Sequence, residues 1–144
     1  MNVIELLKSH QLKKTAPRVA ILNVLNNSKI PQSESEIKQA IGDLYDRITF
    51  YRSMHSLIEV GMIHKIVIDN TLVKYALNNC TDEHVHEVDH VHFYCKTCSK
   101  VMCMEEVKIM LYVLPQGYSK NECDVVIKGC CGSCEKFVLG KHEN

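Results

Sequence analysis

The sequence predicts an α+β protein, with a winged helix-turn-helix in its first half and a small, cysteine-rich domain in its second half. Two observations carry this prediction: the order helix, helix, helix, hairpin before residue 79, and two Cys-x-x-Cys pairs among strand-like runs after residue 92. The 144 residues, 46% of them hydrophobic, suffice for two small domains. No apolar run approaches the roughly 18 residues of a membrane span, so we expect a cytoplasmic protein without a membrane partner.

The first two helices are predicted from apolar spacing and from start signals. Residues 2–8 favour a short helix, and a second helix is predicted over about 16–26. Thr15 is a good N-cap residue for this second helix, and Pro17 suits its first turn because the missing N–H is not needed there. Its buried face would consist of Ile21, Val24 and Leu25.

Clear caps mark the third and fourth helices. The run Ser33-Glu34-Ser35-Glu36 is a capping box for the third, while Asp46 can cap the fourth and Gly61 can stop it. Apolar residues at helical spacing supply their buried faces, which are Ile37, Ala40, Ile41 and Leu44 in the third and Phe50, Met54, Leu57 and Ile58 in the fourth.

Residues 62–68 and 71–77 read as two strands joined by a two-residue turn at Asp69-Asn70. In a winged helix-turn-helix the last helix enters the major groove and the hairpin contacts the DNA backbone. Small helical domains that end in a hairpin and bind no nucleic acid also exist. Tyr51 and Arg52 favour the DNA-binding interpretation, because Tyr can contact base edges and Arg can clamp a phosphate or a guanine.

Four cysteines in two pairs, Cys95 with Cys98 and Cys131 with Cys134, make a complete tetrahedral ligand set for Zn²⁺. The alternatives are two disulfides or ordinary buried thiols. Residues 1–10 lack the apolar core of a secretion signal, so we expect a reducing compartment and therefore zinc. Bound zinc would then contribute much of the folding energy of this half.

Charge divides the chain into two parts, although the net charge is zero. Residues 1–79 contain 10 Lys+Arg against 7 Asp+Glu, a balance of +3, and residues 80–144 contain 7 against 10, a balance of −3. This asymmetry indicates that the first half faces a polyanion.

Histidines cluster between the two halves. His84, His86, His90 and His92 occupy even positions, so an extended chain would present all four on one face as a candidate metal site. The alternative is a solvated polar linker. A zinc metallopeptidase is a further alternative, because His86-Glu87-x-x-His90 matches its His-Glu-x-x-His pattern. That chemistry requires a helix, whereas the run continues into an alternating, strand-like His-x-His-x-Tyr, so we expect no enzyme.

Three motifs together resemble the ferric uptake regulator superfamily: Leu12 to Arg18, Ile48 to Arg52 with Leu57 and Gly61 following, and His90-x-His92-x-x-Cys95-x-x-Cys98. The resemblance covers nearly the whole chain. It implies a metal-dependent, dimeric transcriptional regulator. Its parts would be a winged-helix DNA-binding domain over 1–79, a hinge with sensor ligands over 80–92 and an α/β dimerisation domain over 93–144.

The resemblance also implies roles for individual residues. Tyr51 and Arg52 fall on the recognition helix and Lys13 on a basic position that approaches the minor groove, while the four paired cysteines fall on structural zinc ligands. The same motifs and the exposed helix face supply the remaining DNA-binding candidates, Thr15, Arg18, Thr49 and His55.

Similar proteins hold a regulatory divalent metal at the hinge, and His90 and His92 correspond to two of its ligands. Other usual ligands are replaced, since Pro31, Ala76 and Cys103 stand where a histidine and two acidic residues are usual. Because thiolate favours Zn²⁺ over Fe²⁺ or Mn²⁺, a zinc sensor is predicted. The candidates to complete its site are Cys80, His84, His86 and Cys103.

For Cys80 and Cys103, plain burial is the alternative. Cys123 and Cys130 read as core or bystander thiols, although Cys130 could compete with Cys131 for the structural metal.

The predicted function is repression of metal-homeostasis genes by a homodimer on a pseudo-palindromic operator in double-stranded DNA. Metal at the hinge would fix the angle between winged helix and dimer core, so that two recognition helices match successive major grooves. An iron- or peroxide-responsive regulator of the same family is the alternative. A zinc-stabilised interaction module that binds no DNA is disfavoured by Lys13, Tyr51 and Arg52.

In the second half, residues 100–104 and 124–128 read as strands. Residues 105–112 read as a short helix or an irregular link, and residues 140–144 as a frayed tail.

Overall fold

The computed structural model describes residues 2–78, 90–110, 112–121 and 123–139. The chain forms two compact units, Met1–Val88 and Asp89–Asn144. Most of the predicted hinge over 80–92 lies outside the described residues, so the three-part division of the chain stays a prediction. Among the described residues, no helix is both long and apolar enough to span a bilayer.

The first unit has the predicted short helix at its start, followed by the predicted order of three helices and a hairpin. Its elements are α1 (Val3–Ser9), α2 (Ala16–Asn27), α3 (Glu34–Ile41), α4 (Arg47–Glu59), β1 (Ile63–Val67) and β2 (Val73–Leu77). Side chains from every helix and from β1 bury one apolar core, and this core contains Val3, Leu7, Ile21, Leu22, Leu25, Ile37, Phe50, Met54, Leu57, Met62 and Ile63. The winged helix-turn-helix prediction is confirmed.

All three predicted N-cap residues begin their helices, and two of them form a capping hydrogen bond through the side chain. The capping box of α3 is complete, because the Glu36 N–H donates to Ser33 Oγ at 3.2 Å and the Ser33 N–H donates back to the Glu36 carboxylate at 2.5 Å. Asp46 accepts from the Thr49 N–H at 2.8 Å at the start of α4. Thr15 is the N-cap residue of α2, as predicted, and its carbonyl accepts from the Val19 N–H at 3.1 Å, but its side chain makes no capping hydrogen bond.

The buried face predicted for α3 was too long. Gly42 takes a φ of +72°, which ends the helix after Ile41. Leu44 therefore lies beyond the helix, where it is 72% exposed.

The two-residue turn predicted for the hairpin was also wrong. Ile68 N–H donates to the Leu72 carbonyl at 2.9 Å, and Asp69 Oδ1 accepts from the N–H groups of Thr71 and Leu72 at 2.8 Å each. The Asp69 side chain thus stabilises a longer loop by satisfying its backbone donors. β1 and β2 pair in antiparallel register from Ile63 opposite Leu77 to Val67 opposite Val73.

The second unit is a three-stranded sheet followed by a helix. Its elements are β3 (His90–Cys95), β4 (Val101–Lys108), β5 (Val125–Gly129) and α5 (Gly132–Leu139). β3 lies in the middle, antiparallel to β4 and parallel to β5. Val91, Cys95 and Val101 are buried in this unit.

Strand β4 extends through residues 105–108, where a short helix or an irregular link was predicted. The prediction was wrong for residues 105–108, because His90 pairs with Lys108 beyond a register shift between His90 and Val91. This pairing prolongs β4. Helix α5 was not predicted, and the predicted tail at residues 140–144 lies outside the described residues.

Candidate metal centres and nucleic-acid interface

The four paired cysteines converge at one end of the sheet. The sulfur atoms of Cys95, Cys98, Cys131 and Cys134 all lie within 4.8 Å of one another. Those of Cys98 and Cys131 are 3.9 Å apart. A tetrahedral zinc ion with Zn–S bonds of about 2.3 Å separates its sulfur ligands by about 3.8 Å, so this arrangement fits zinc.

Strand pairing produces this convergence. Cys95 ends β3 opposite Gly129, which ends β5, and the Lys96 N–H donates to the Gly129 carbonyl at 2.8 Å. The turn after Cys95 carries Cys98, and the start of α5 carries Cys134. The first Cys-x-x-Cys pair therefore spans the end of β3 and the turn after it, whereas the second lies at the start of α5, just after β5.

The electrostatics of the four thiols favour a cation. Hydrogen bonds from the backbone N–H groups of Cys98 and Cys131 lower the pKa of Cys95 to about 5, and the Cys131 bond measures 3.3 Å. A hydrogen bond with the Cys131 thiol raises the pKa of Cys134 to about 12. The four thiols thus resist losing all of their protons. A bound dication would remove this resistance by neutralising the thiolates.

Disulfides, the alternative for these cysteines, do not occur in this group. Cys95, Cys98, Cys131 and Cys134 carry free thiols. The 3.9 Å between the sulfurs of Cys98 and Cys131 far exceeds the S–S bond of about 2.05 Å.

Cys130 lies beside Cys131 but outside the four-sulfur group. It is exposed, and the Thr97 hydroxyl donates to its sulfur at 3.5 Å. Cys123 is partly exposed and belongs to neither group of potential metal ligands found in the described residues.

A second group of donors lies on the sheet itself. His92 stands directly opposite Cys103 in the β3–β4 pair, and the His90 and His92 rings have centroids 4.4 Å apart. One ligand atom from each of the three residues lies within 4.8 Å of the others. We call His90, His92 and Cys103 the sheet triad. Cys80, His84 and His86, predicted to complete this site, lie outside the described residues.

Burial favours the neutral forms of His90 and Cys103 in the sheet triad. It lowers the pKa of His90, an effect partly opposed by the Glu105 carboxylate, and so favours the neutral ring, which is the form that coordinates a metal. Burial also raises the pKa of Cys103 to about 11, and Glu105 adds to that rise. A divalent cation would displace the thiol proton on binding there.

His90 is the first residue of β3. The last histidine of the His86-Glu87-x-x-His90 pattern thus lies on a strand, whereas the peptidase site needs it on a helix. Glu87 lies outside the described residues. His64 on β1 is a further buried histidine that was not predicted, although its apolar neighbours in the sequence indicated a buried strand.

The candidate DNA-binding residues all belong to the first unit. Tyr51, Arg52 and His55 are exposed on α4. Thr49 is half-buried and donates to the Asp46 carboxylate at 2.9 Å. An exposed apolar residue, Ile48, extends this face by one turn and was not among the predicted contacts.

Lys13 and Thr15 are exposed ahead of α2. Arg18 is half-buried, and it donates from Nε to Ser56 Oγ at 3.0 Å and from Nη1 to the Lys13 carbonyl at 2.8 Å. Arg18 therefore links α2 to α4 and holds the backbone that carries Lys13.

Comparison with known proteins matches most of the chain. A sequence model described as the Ferric uptake regulator family matches residues 9–114. The ferric uptake regulation protein of Campylobacter jejuni is 31% identical over 139 residues, which cover 90% of this chain and 84% of that protein.

Solved structures share the fold. A zinc uptake regulator complexed with zinc and DNA superposes with a TM-score of 0.70 at 18% identity, covering 94% of this chain and 92% of that one. The ferric uptake regulator of Helicobacter pylori, described as having three functional metal binding sites, gives a TM-score of 0.58 at 18% identity. That match covers 92% of this chain and 88% of the Helicobacter chain.

Proposed function

Because the chain belongs to the ferric uptake regulator family, we propose that it is a transcriptional repressor whose binding to DNA requires zinc. The observation that carries the proposal is the pair of donor groups in the second unit, one of four sulfurs and one of two imidazoles with a thiol. The four sulfurs suit a closed structural metal site. The two imidazoles and the thiol leave a coordination position of the metal open for a further ligand.

The four-sulfur group is the proposed structural zinc site. Four protein ligands complete a tetrahedron, so the ion would have no open position for water or substrate. Zinc there would hold the end of β3 to the start of α5. Because the described part of this unit buries few large apolar residues, such a metal would supply a substantial share of its folding energy.

The sheet triad is the proposed core of the regulatory site. Its fourth ligand would come from Cys80, His84 or His86, in the predicted hinge over residues 80–92. A ligand set containing Cys103 favours Zn²⁺ over Fe²⁺ and Mn²⁺. A similar fold solved with zinc and DNA is consistent with this choice.

Regulation follows from differential metal affinity. A metal bound through the predicted hinge would favour the arrangement of the two units in which its ligands are best placed, and it can shift DNA affinity only by that preference. We propose that this arrangement lets Tyr51 and Arg52 of two chains reach successive major grooves.

The proposed assembly is a homodimer formed by the second unit. The described residues between β4 and β5 expose large apolar side chains, and Val113 is 98% exposed. Exposed groups of this kind mark interaction surfaces, and a second copy of the chain would cover them. The residues concerned are Met110, Tyr112, Val113, Leu114 and Tyr118.

Iron sensing is the second candidate, favoured by 31% identity to a ferric uptake regulation protein. Elemental analysis before and after mild chelation separates the candidates. The proposal expects one zinc per chain that resists chelation and a second, labile zinc. A labile iron would favour the second candidate, and a single labile metal would contradict the two-site scheme.

DNA binding is tested on the same zinc-loaded protein. The proposal expects it to select a pseudo-palindromic duplex from a random pool. Selection of no preferred sequence, with any divalent metal, would contradict the proposal.

A further inference from the structure

A polar cluster connects α3 to α4 on the surface of the first unit. The Tyr51 hydroxyl donates a hydrogen bond to Oε1 of Glu34. Lys38 Nζ donates to the same oxygen at 2.5 Å and to the Tyr51 hydroxyl oxygen at 3.3 Å. One carboxylate on α3 thus holds the phenol of the proposed recognition helix.

The ring of Tyr51 is held as well as its hydroxyl. Lys38 Nζ lies 4.6 Å and Arg47 Cζ 5.5 Å from the ring centroid, within the range of cation–π attraction. Buried Phe50 meets the ring edge-on, with centroids 5.6 Å apart. These contacts restrict the rotamers of Tyr51 before any DNA binds, although the side chain stays 38% exposed.

Attraction of DNA does not explain Glu34. A carboxylate beside a DNA-binding helix repels phosphates and offsets the charges of Lys38 and Arg47. It also remains ionised: burial raises the pKa of Glu34, but hydrogen bonds from Lys38 and Tyr51 outweigh that effect and leave the pKa below its usual value. The contact of Glu34 with Tyr51 therefore indicates a different role.

We propose that Glu34 is a positioning residue for sequence recognition, which fixes Tyr51 so that the exposed part of its ring meets base edges in one orientation. The inference rests on the proposed function, in which Tyr51 contacts bases. Because Glu34 binds the Tyr51 hydroxyl, Tyr51 would recognise bases through apolar contacts of its ring. Apolar side chains contact the thymine methyl group in this way. A fixed ring discriminates more sharply, because it cannot swing aside for a wrong base.

The test measures a specificity ratio, defined as the affinity for a selected duplex divided by the affinity for a scrambled duplex of the same composition. The selected duplex is the one that the zinc-loaded wild-type chain enriches from a random pool. Glu34→Ala removes the acceptor and the charge, whereas Glu34→Gln removes the charge and keeps an acceptor for the Tyr51 hydroxyl. Both changes are made in the wild-type chain and in a Tyr51→Phe chain.

Glu34→Ala is expected to lower the specificity ratio about threefold to tenfold, the lower range of couplings between contacting residues. Glu34→Gln should keep most of the ratio. Both variants lose the negative charge of Glu34. A gain in affinity that occurs in both variants and on both duplexes is therefore assigned to the loss of that charge. In the Tyr51→Phe chain, Glu34→Ala should change the ratio no further, because the hydroxyl that Glu34 holds is already absent.

Equal ratios for the Ala and Gln variants, or additive effects of Glu34→Ala and Tyr51→Phe, would overturn the inference. Thermal melting checks folding. Should Glu34→Ala not fold, Tyr51→Phe alone must lower the ratio by a similar factor, and an unchanged ratio overturns the inference. A wild-type chain that selects no sequence overturns the proposed function and this inference together, whereas normal selection with an unaffected Glu34→Ala ratio overturns the inference alone.

Discussion

The sulfur atoms of Cys98 and Cys131 lie 3.9 Å apart, although the two residues are 33 positions apart in the chain. Parallel pairing of β3 with β5 brings the two Cys-x-x-Cys pairs together. The same pairing places Gly129 against Phe93, since a Cβ at Gly129 would lie 3.2 Å from the Phe93 ring. The four-sulfur group and the sheet are therefore expected to form and unfold together.

Loss of one paired cysteine should remove the structural metal. Cys131→Ser is expected to abolish the chelation-resistant zinc and the cooperative unfolding of the second unit, because metal binding supplies folding energy there. Zinc content and thermal melting measure both effects. Cys130→Ser is the matched control, since Cys130 is adjacent, exposed and outside the group. Retention of zinc by Cys131→Ser would contradict the assignment.

The sheet triad should hold the labile metal. His92→Ala is expected to lose that metal and the metal dependence of DNA binding while keeping the resistant zinc. Cys103→Asp should shift the preference from Zn²⁺ towards Mn²⁺ and Fe²⁺, because a carboxylate is a harder ligand. Competition titrations measure the preference, with Cys123→Ser as the control. An unchanged preference in Cys103→Asp would remove Cys103 from the site.

Arg52 and Tyr51 should differ in what they contribute to DNA binding. Arg52→Ala is expected to weaken binding to all duplexes by about 1–2 kcal/mol and to reduce the salt dependence, as loss of a phosphate contact does. Tyr51→Ala should mainly reduce the preference for the selected duplex. Affinities measured at two salt concentrations separate the effects. Equal losses on both duplexes from both variants would contradict this division.

Acid should weaken the cap of α4. The backbone N–H of Thr49 donates to Asp46 and lowers the pKa of that carboxyl below its usual value. Asp46 therefore adds stability above its unfolded pKa of about 3.9, and this stability disappears as the pH falls through the lower, folded pKa.

Asp46→Asn tests this dependence, because asparagine caps equally well without titrating. The variant should melt close to the wild type at pH 7 and above it near pH 3. Parallel melting temperatures over the whole range would show that Asp46 does not contribute in this way.

Local signals in the sequence predicted much of the first unit. The capping box at Ser33, the cap at Asp46 and the stop at Gly61 each act within a few residues, so the sequence alone reveals them. Leu44 was wrongly assigned to the buried face of α3, because the helical spacing of apolar residues continues past Gly42. The positive φ of Gly42 ends the helix before Leu44.

The features that the sequence did not reveal depend on contacts between residues that are far apart in the chain. The extension of β4 depends on His90 meeting Lys108, and the contact of Glu34 with Tyr51 joins two helices. Both sulfur pairs were predicted because their spacing is itself a ligand pattern. The opposition of His92 and Cys103 required the register of the sheet, although both residues had been named as candidates.

In the proposed mechanism, a second metal controls DNA binding. The most direct measurement starts with protein that retains only its chelation-resistant zinc and titrates further zinc while the anisotropy of a labelled, selected duplex is followed. We expect weak binding at one zinc per chain and a rise in affinity that is complete near two. Equal affinity before and after the second zinc would contradict it, even with the fold and the four-sulfur site intact.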